Sequence, residues 1–153
     1  MCICPIEGEA RMEGLSYTFK AYGHPNIRAT HKSTFEITRE RHVTPRGDCI
    51  IAVRSECSAS SLPNYIKEAI KDDDVKIIII LKSGGITEVV NAYGSKDLIL
   101  ESNDSLVVRK SGFVDERTIA IKADKAAKDI NRILVDMLKN ESTVLDITIK
   151  VYR

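Results

Sequence analysis

The sequence lacks several features that mark well-known protein classes. Its 153 residues include four cysteines, and Cys2 and Cys4 both lie at the start, unlike the disulfide framework of a small secreted protein. The apolar run at 77–81 is far too short to cross a bilayer. A formal net charge of +1 gives no general attraction to nucleic acid or to membranes. We therefore expect a cytoplasmic protein with no signal peptide and no membrane partner.

Motifs of familiar catalytic sites are missing as well. There is no glycine-rich phosphate loop, no G-x-S-x-G elbow and no H-E-x-x-H zinc motif. The histidines and cysteines show no compact ligand spacing such as C-x2-C, and the role of Cys2 and Cys4 stays open. The sequence thus leaves any cofactor unknown and does not decide whether the protein is an enzyme.

What the sequence does contain is a faint internal repeat. A shift of 71 residues places 21–23 (Ala-Tyr-Gly) on 92–94, which have the same sequence. A shift of 68 residues places 51–53 (Ile-Ala-Val) on 119–121 (Ile-Ala-Ile). In a duplicated fold, the two copies can be compared with each other. Residues shared by both copies are expected to maintain the fold, that is, to serve architecture.

The repeat predicts the domain organisation. We expect a single domain over 1–153, built from repeats at 14–82 and 85–151, with 1–13 as an N-terminal arm. Each repeat is too small to be stable by itself, so both should share one core. The two glycines between the repeats predict a flexible joint.

Hydrophobic patterning predicts five strands and one helix in each repeat. In the first repeat we expect strands at 15–22, on either side of a turn at 31–33 within 27–38, at 49–54 and at 76–82, with a helix at 62–71 capped by Ser60 or Ser61. In the second repeat we expect strands at 86–93, 97–101, 105–110, 117–122 and 144–151, with a helix over 124–140. The predicted fold class is α+β, mainly antiparallel β, an internally duplicated pseudo-two-fold sandwich or barrel-like core with two helices.

Residues found in the first repeat alone are the candidates for function. All three histidines lie there, and the second repeat has Ser95, Ser102 and Phe113 in their places. We expect Phe113 to fill the space that a ligand would occupy, so that the second repeat has no equivalent concavity.

Alternating strand directions bring the turn at 23–26 and the loop at 40–48 to one end of the sheet. Imidazole and guanidinium groups there suit an anion, or a metal that carries one. The candidate ligand-binding residues are His24, Asn26, Arg41, His42, Arg46 and Asp48. Of these, His24, His42 and Asp48 are weak candidates for metal binding.

A second candidate anion site lies at the other end of the sheet. The helix of the first repeat begins late, after a serine-rich loop, and its N-terminus presents backbone N–H groups. The residues of this candidate site are His31, Lys32, Ser58, Ser60 and Ser61. An ordinary helix start that binds no ligand remains the alternative.

The runs 22–32 and 44–50 carry a family resemblance. The sequence resembles an archaeal family known as domain of unknown function number 371, most distinctively in Thr-Pro-Arg-Gly-Asp-Cys at 44–49. The resemblance covers roughly 14–151. It implies an archaeal cytoplasmic protein with a mainly β, sandwich-like fold, and it implies no activity or catalytic residue.

The leading functional hypothesis is a binding domain for an anionic ligand, such as a nucleotide, a phosphorylated metabolite or RNA. For RNA, Tyr17, Phe19 and Tyr22 could stack bases on an open sheet face. The alternatives are a metal-assisted hydrolase that uses His24, His42 and Asp48, and a structural or oligomeric interaction module. The sequence leaves the ligand and the oligomeric state open, and a homodimer is compatible with it.

Overall fold

A computed structural model describes residues 14–153, so the arm expected at 1–13, with Cys2 and Cys4, lies outside the described residues. The strands are β1 (Leu15–Tyr22), β2 (Thr34–Thr38), β3 (Ile50–Ala52), β4 (Lys76–Ser83), β5 (Ile86–Tyr93), β6 (Ser105–Arg109), β7 (Thr118–Ala120) and β8 (Val144–Tyr152). The helices are α1 (Asn64–Ile70) and α2 (Arg132–Met137). The mainly β, α+β fold class is confirmed. Across 14–153, no helix has the length and apolar character needed to span a membrane.

The strands form two open four-stranded sheets. The first sheet has the order β1-β8-β4-β5 and is antiparallel throughout. The second sheet has the order β3-β2-β6-β7, with an antiparallel central pair and a parallel pair at each edge. Neither sheet closes on itself, so the structure agrees with the sandwich and not with the barrel-like alternative.

One hydrophobic core joins both sheets. Alternate residues of β4, such as Ile77 and Ile79, point inward and are fully buried, as the period of two in a strand requires. Phe19 of the first sheet and Phe35 of the second belong to the same cluster. Each large buried side chain contributes about 1.5–3 kcal/mol of hydrophobic free energy. Because Phe19 lies in the core, its expected role in stacking bases is wrong.

The joint expected between the two repeats is a tight turn and not a flexible linker. Ser83 at the end of β4 pairs directly with Ile86 at the start of β5, so Gly84 and Gly85 form a two-residue hairpin loop. Their φ angles of 53° and 82° are both positive. This is the type I′ geometry that matches the twist of a hairpin and that glycine adopts without strain.

Two of the ten expected strands do not form. The chain at 27–31 and 97–101 runs outside the sheets. Ala29 and Leu100, both buried, have φ angles of 52° and 56°, which lie in the left-handed region and break an extended strand. The chain is interrupted before Thr34 as expected, but the predicted hairpin at 31–33 is wrong, because 27–31 forms no strand and β2 pairs with β3 and β6 instead.

Helix α1 is shorter than expected and has a different start. The residue before it is Pro63, whose carbonyl accepts hydrogen bonds from the backbone N–H groups of Ile66 and Lys67, both at 3.0 Å. The hydroxyl of Ser61 instead accepts a bond from the N–H of Ser58 at 2.8 Å. The predicted serine cap is therefore wrong, because these serines shape the turn that precedes the helix.

The long helix expected over 124–140 is replaced by a 3-10 turn at Ala127–Asp129 and by α2. The chain cannot be helical at Asp124, because this residue pairs with the edge strand β5. The Asp124 N–H donates to the carbonyl of Asn91 at 2.9 Å, and its carboxylate accepts from the N–H of Asn91 at 3.0 Å. The side chain of Asn131 then caps α2.

The two halves of the chain are interleaved. Four of the six strand pairings join residues before the central turn to residues after it: β1 with β8, β8 with β4, β4 with β5, and β2 with β6. Isolated bridges recur at the repeat spacing, from Tyr22 to Val53 and from Tyr93 to Ile121. A duplication would produce such recurrences, and the predicted duplication itself is tested by superposing the two segments strand for strand.

Candidate functional site

A cavity of about 210 Å³ lies at the end of β1 and brings together half of the first candidate set. Its lining combines predicted residues with others that the sequence did not single out. The lining residues are Gly23, His24, Arg41, His42, Arg54 and Glu141. Two guanidinium groups and two imidazoles therefore share one small space with a single carboxylate among these lining residues. We call this space the basic cavity.

Gly23 allows the basic cavity to form from both halves of the chain. The N–H of Gly23 donates to the carbonyl of Thr143 at 3.1 Å, and the N–H of His24 donates to that of Leu138 at 2.8 Å. A Cβ atom on Gly23 would collide with the carbonyl oxygens of Leu138 and Asn140. Only glycine therefore allows the turn after β1 to lie so close to the chain that follows α2.

Hydrogen bonds fix the orientation of His24. Its Nδ1 atom accepts a bond from the backbone N–H of Asn26 at 3.0 Å, so neutral His24 carries its proton on Nε2. The side-chain amide of Asn26 donates to the carbonyl of Val43 at 2.9 Å. The rings of His24 and His42 lie edge to face, with centroids 6.2 Å apart. Asn26 thus ties the two histidine-bearing loops together.

Arg54 is the functional candidate that the sequence reasoning missed. Its guanidinium lies 4.4 Å from the centre of the Tyr22 ring, close enough for a cation–π contact, and its Nη2 atom donates to the carbonyl of Glu141. These contacts hold a half-buried positive charge at the wall of the basic cavity. The comparison of the two repeats pointed away from Arg54, because the shift of 68 residues pairs it with another basic residue, Lys122, and shared residues were expected to serve architecture.

The remaining members of the first set lie elsewhere. Neither Arg46 nor Asp48 lines the basic cavity, and the carbonyl of Asp48 accepts hydrogen bonds from the N–H groups of Thr30 and His31. The expected metal triad is therefore not brought together. Within residues 14–153, no group of three or more His, Cys, Asp or Glu side chains is arranged to hold a metal ion.

The second candidate set is divided between two places. The carbonyl of His31 accepts a hydrogen bond from the N–H of Lys128, near the start of β2. Ser60, in contrast, donates through its N–H to the carbonyl of Ser102 and through its hydroxyl to Asn103, near the start of β6. Because β2 and β6 are antiparallel, these places lie at opposite ends of the pair. The expectation of one site with His31, Lys32, Ser58, Ser60 and Ser61 is wrong.

A cavity also lies around Ser95, Gly112 and Lys122, which contradicts the expectation that Phe113 would leave the second half of the chain without one. The cavity has a volume of about 580 Å³. Phe113 is 59% exposed, and the guanidinium of Arg109 lies 4.9 Å from its ring centre. The residues that line this cavity are Asp73, Tyr93, Gly94, Ser95, Asp97, Gly112, Ile121 and Lys122. With two carboxylates and one lysine, it differs in charge from the basic cavity.

A charged network on the second sheet includes Arg117, the residue that the shift of 71 pairs with Arg46. The Nη2 atom of Arg117 lies 3.0 Å from the carboxylate of Asp115, which also accepts bonds from Arg109 and from the hydroxyl of Thr118, both at 2.9 Å. Burial alone would raise the pKa of Asp115, but these donors lower it to about 2. Arg117 is therefore engaged within the protein.

Comparison with known proteins agrees with the resemblance seen in the sequence. A family model described as "Domain of unknown function (DUF371)" matches residues 19–152. The chain is 42% identical to the "Uncharacterized protein MJ0206" of the archaeon Methanocaldococcus jannaschii over 125 residues, which cover 82% of this chain and 92% of that relative. The match spans both sheets and includes every residue of the basic cavity. The chain therefore belongs to the DUF371 family.

Proposed function

We propose that the basic cavity binds a small oxyanion, such as phosphate or the phosphate group of a metabolite or nucleotide. The observation that carries the proposal is the convergence of Arg41, Arg54, His24 and His42 on one cavity of about 210 Å³. Arginine presents a planar fork of donors that matches oxyanion geometry, and its hydrogen bonds to a charged partner are strong. A volume of this size suits the anionic group itself better than a whole nucleotide.

The pre-set orientation of the side chains supports this proposal. Arg54 is already held against Tyr22, and the Nδ1 atom of His24 is already engaged by Asn26. Little conformational freedom is then lost when a ligand arrives, which favours binding. The Nε2–H group of neutral His24 is the donor that such a ligand would meet.

The hydrolase alternative has less support than simple binding. It relied on His24, His42 and Asp48, and Asp48 does not line the basic cavity. The perpendicular histidine pair, with ring centroids 6.2 Å apart, is the observation that keeps metal binding open as a second candidate. The same protein should therefore be titrated with Zn²⁺ and Mn²⁺ as well as with phosphate. A cytoplasmic location is part of the proposal.

Calorimetric titration with phosphate and with sulfate tests the proposal. Arg54→Met, His24→Ala and His42→Ala should each weaken phosphate binding about tenfold or more, since a hydrogen bond to a charged group contributes about 1.5–3 kcal/mol. Lys122→Met, the matched change in the second cavity, should leave the affinity unchanged.

Unfolding measurements separate this result from a structural role. Turn and loop side chains usually contribute little to stability, so the histidine variants should unfold at nearly the same temperature as the parent. Loss of stability with unchanged phosphate affinity would assign both histidines to structure and would end the binding proposal.

A further inference from the structure

The outer face of the first sheet is a broad surface that the basic cavity does not use. Residues that alternate with the buried ones point outward on all four strands and reach solvent, including Lys20 on β1, Lys76 and Lys82 on β4, and Tyr93 on β5. We call this surface the lysine face. It spans four strands, with about 14 Å between the two outer strands.

Strand register places aromatic and basic side chains in one row at an end of the lysine face. Lys76 on β4 pairs with Tyr152 on one side and with Tyr93 on the other. Neighbouring strands are about 4.8 Å apart, so the two tyrosines lie roughly 10 Å from each other with a lysine between them. The next outward row contains Lys150 on β8 and Ile78 on β4.

Positive charge is concentrated on the lysine face. Four lysines, Lys20, Lys76, Lys82 and Lys150, point outward there, against a single outward acid on these strands, Asp146. Lys20 is paired with Asp146 at 2.6 Å, and the other three lysines form no salt bridge with any residue of 14–153. The face therefore has a formal charge of +3, although the whole chain has only +1.

Carboxylates lie at the borders of the lysine face, so its excess of positive charge is greatest on β4 and β8, away from the two outer strands. The carboxylates of Glu56 and Asp124 lie beside the outer strands, where each accepts a hydrogen bond from a strand N–H, that of Lys20 at 2.8 Å and that of Asn91 at 3.0 Å. These contacts also occupy the exposed edges of the sheet. An added strand is thereby disfavoured, and the face is left as the accessible surface.

We propose that the lysine face binds single-stranded RNA. Lysines can contact phosphates, exposed tyrosine rings can stack on bases, and the partly exposed Ile78 and Ile80 offer apolar contact to the sugar and base. Outward threonines such as Thr87 supply hydroxyl groups that can recognise a ribose 2′-OH. A second copy of the chain is a poorer occupant, because two faces of +3 would repel each other.

A fluorescence-anisotropy titration of the full chain with a labelled RNA dodecamer tests the proposal. With about three phosphates neutralised, raising the salt from about 50 to about 200 mM should weaken binding about 20-fold. The double variant Lys76→Gln/Lys150→Gln should lose about tenfold or more in affinity and show a shallower salt dependence. Tyr93→Leu should weaken binding about tenfold with little change in the salt dependence.

Three controls make the outcome decisive. Lys128→Gln and Lys32→Gln, which change two exposed lysines beside the start of β2 in the second sheet, should both bind RNA like the parent. A DNA dodecamer of the same sequence should bind more weakly if the 2′-OH is recognised. The proposal is overturned if the parent does not bind, or if Lys76→Gln/Lys150→Gln and Lys128→Gln bind equally well. It is also overturned if sedimentation shows a dimer that the double variant dissociates, because the face would then be an interface between copies.

Discussion

The carboxylate of Asp115 illustrates how a single residue can make stability depend on pH. Its pKa of about 2 lies below the ordinary value of 3.8, because Thr118, Arg117 and Arg109 outweigh the effect of burial. A pKa that is lower in the folded state adds stability above the unfolded value, and that stability is lost as the pH falls through the folded value. This contribution should therefore be complete at neutral pH and should disappear between about pH 4 and pH 2.

Asp115→Asn tests this contribution. We expect the variant to be less stable at pH 7 by about 1 kcal/mol, a value reduced to allow for solvent screening of a partly exposed group. Urea unfolding at several pH values should show the difference between parent and variant shrinking as the pH falls below 4. A difference that stays constant down to pH 2 would show that Asp115 contributes through packing and not through its charge.

The two thiols of the described region are expected to be unreactive in the folded protein. Burial, followed by nearby carboxylates, raises the pKa of Cys49 and that of Cys57 to about 12. The thiolate is the reactive species, so alkylation at pH 8 should be slow. In a Cys2→Ser/Cys4→Ser background, both thiols should be labelled rapidly in urea and slowly without it, as a colorimetric thiol reagent would report. Rapid labelling of the folded protein would contradict the raised pKa values of these thiols.

At this scale, the sequence predicted those site residues that lie on neighbouring loops of one repeat. His24 and His42 were placed together on the assumption of opposite strand directions before and after 31–33, and the two loops do meet although 27–31 forms no strand. Arg54 was missed because the contact that fixes it is the carbonyl of Glu141, which belongs to the other half of the chain. Asp48 was placed wrongly, since its backbone is bound to the N–H groups of Thr30 and His31 and not to the turn at 23–26.

At the scale of elements, the turn between β4 and β5 depends on backbone conformation. Gly85 has a φ of 82° and open space around its Cβ position, so a substitution there costs backbone strain alone. Gly85→Ala should lower stability by about 1 kcal/mol, because an L-residue is strained in the left-handed region. Gly85→Asn is the matched control and should cost less, since asparagine tolerates that region. Thermal unfolding of both variants measures the difference, and equal losses would contradict the role of φ.

Hydrophobic periodicity predicted burial better than it predicted the type of element. Among the apolar residues of 124–140, Ile130, Leu134 and Leu138 are fully buried, and Ile133 is an exception at 62% exposed. The helix nevertheless does not extend back to Asp124, because the unpaired edge of β5 takes the backbone of Asp124 as its partner. Competition of this kind comes from a strand more than thirty residues away and cannot be read from a local pattern.

For the whole molecule, interleaving of the halves has a consequence for folding. Every strand pairing in the first sheet joins one half of the chain to the other. These pairings are β1 with β8, β8 with β4, and β4 with β5. In the second sheet, each half contributes one parallel pair of its own. The first half contributes β2 with β3, and the second half contributes β6 with β7. A half of about 70 residues could not offset its conformational entropy with so little structure.

Expression of the fragments 1–83 and 84–153 tests this interdependence. Each fragment alone should lack a cooperative unfolding transition, and an equimolar mixture should regain one together with a one-to-one complex in sedimentation. Cutting at the central turn leaves every strand intact, so a failure to fold would reflect the missing partner and not a broken element. Cooperative unfolding of either fragment as a monomer would show that the halves are independent. A stable homodimer of one fragment would show that the two halves can replace each other, as the predicted duplication requires. In such a homodimer, the second copy would supply the strands that the other half supplies in the intact chain.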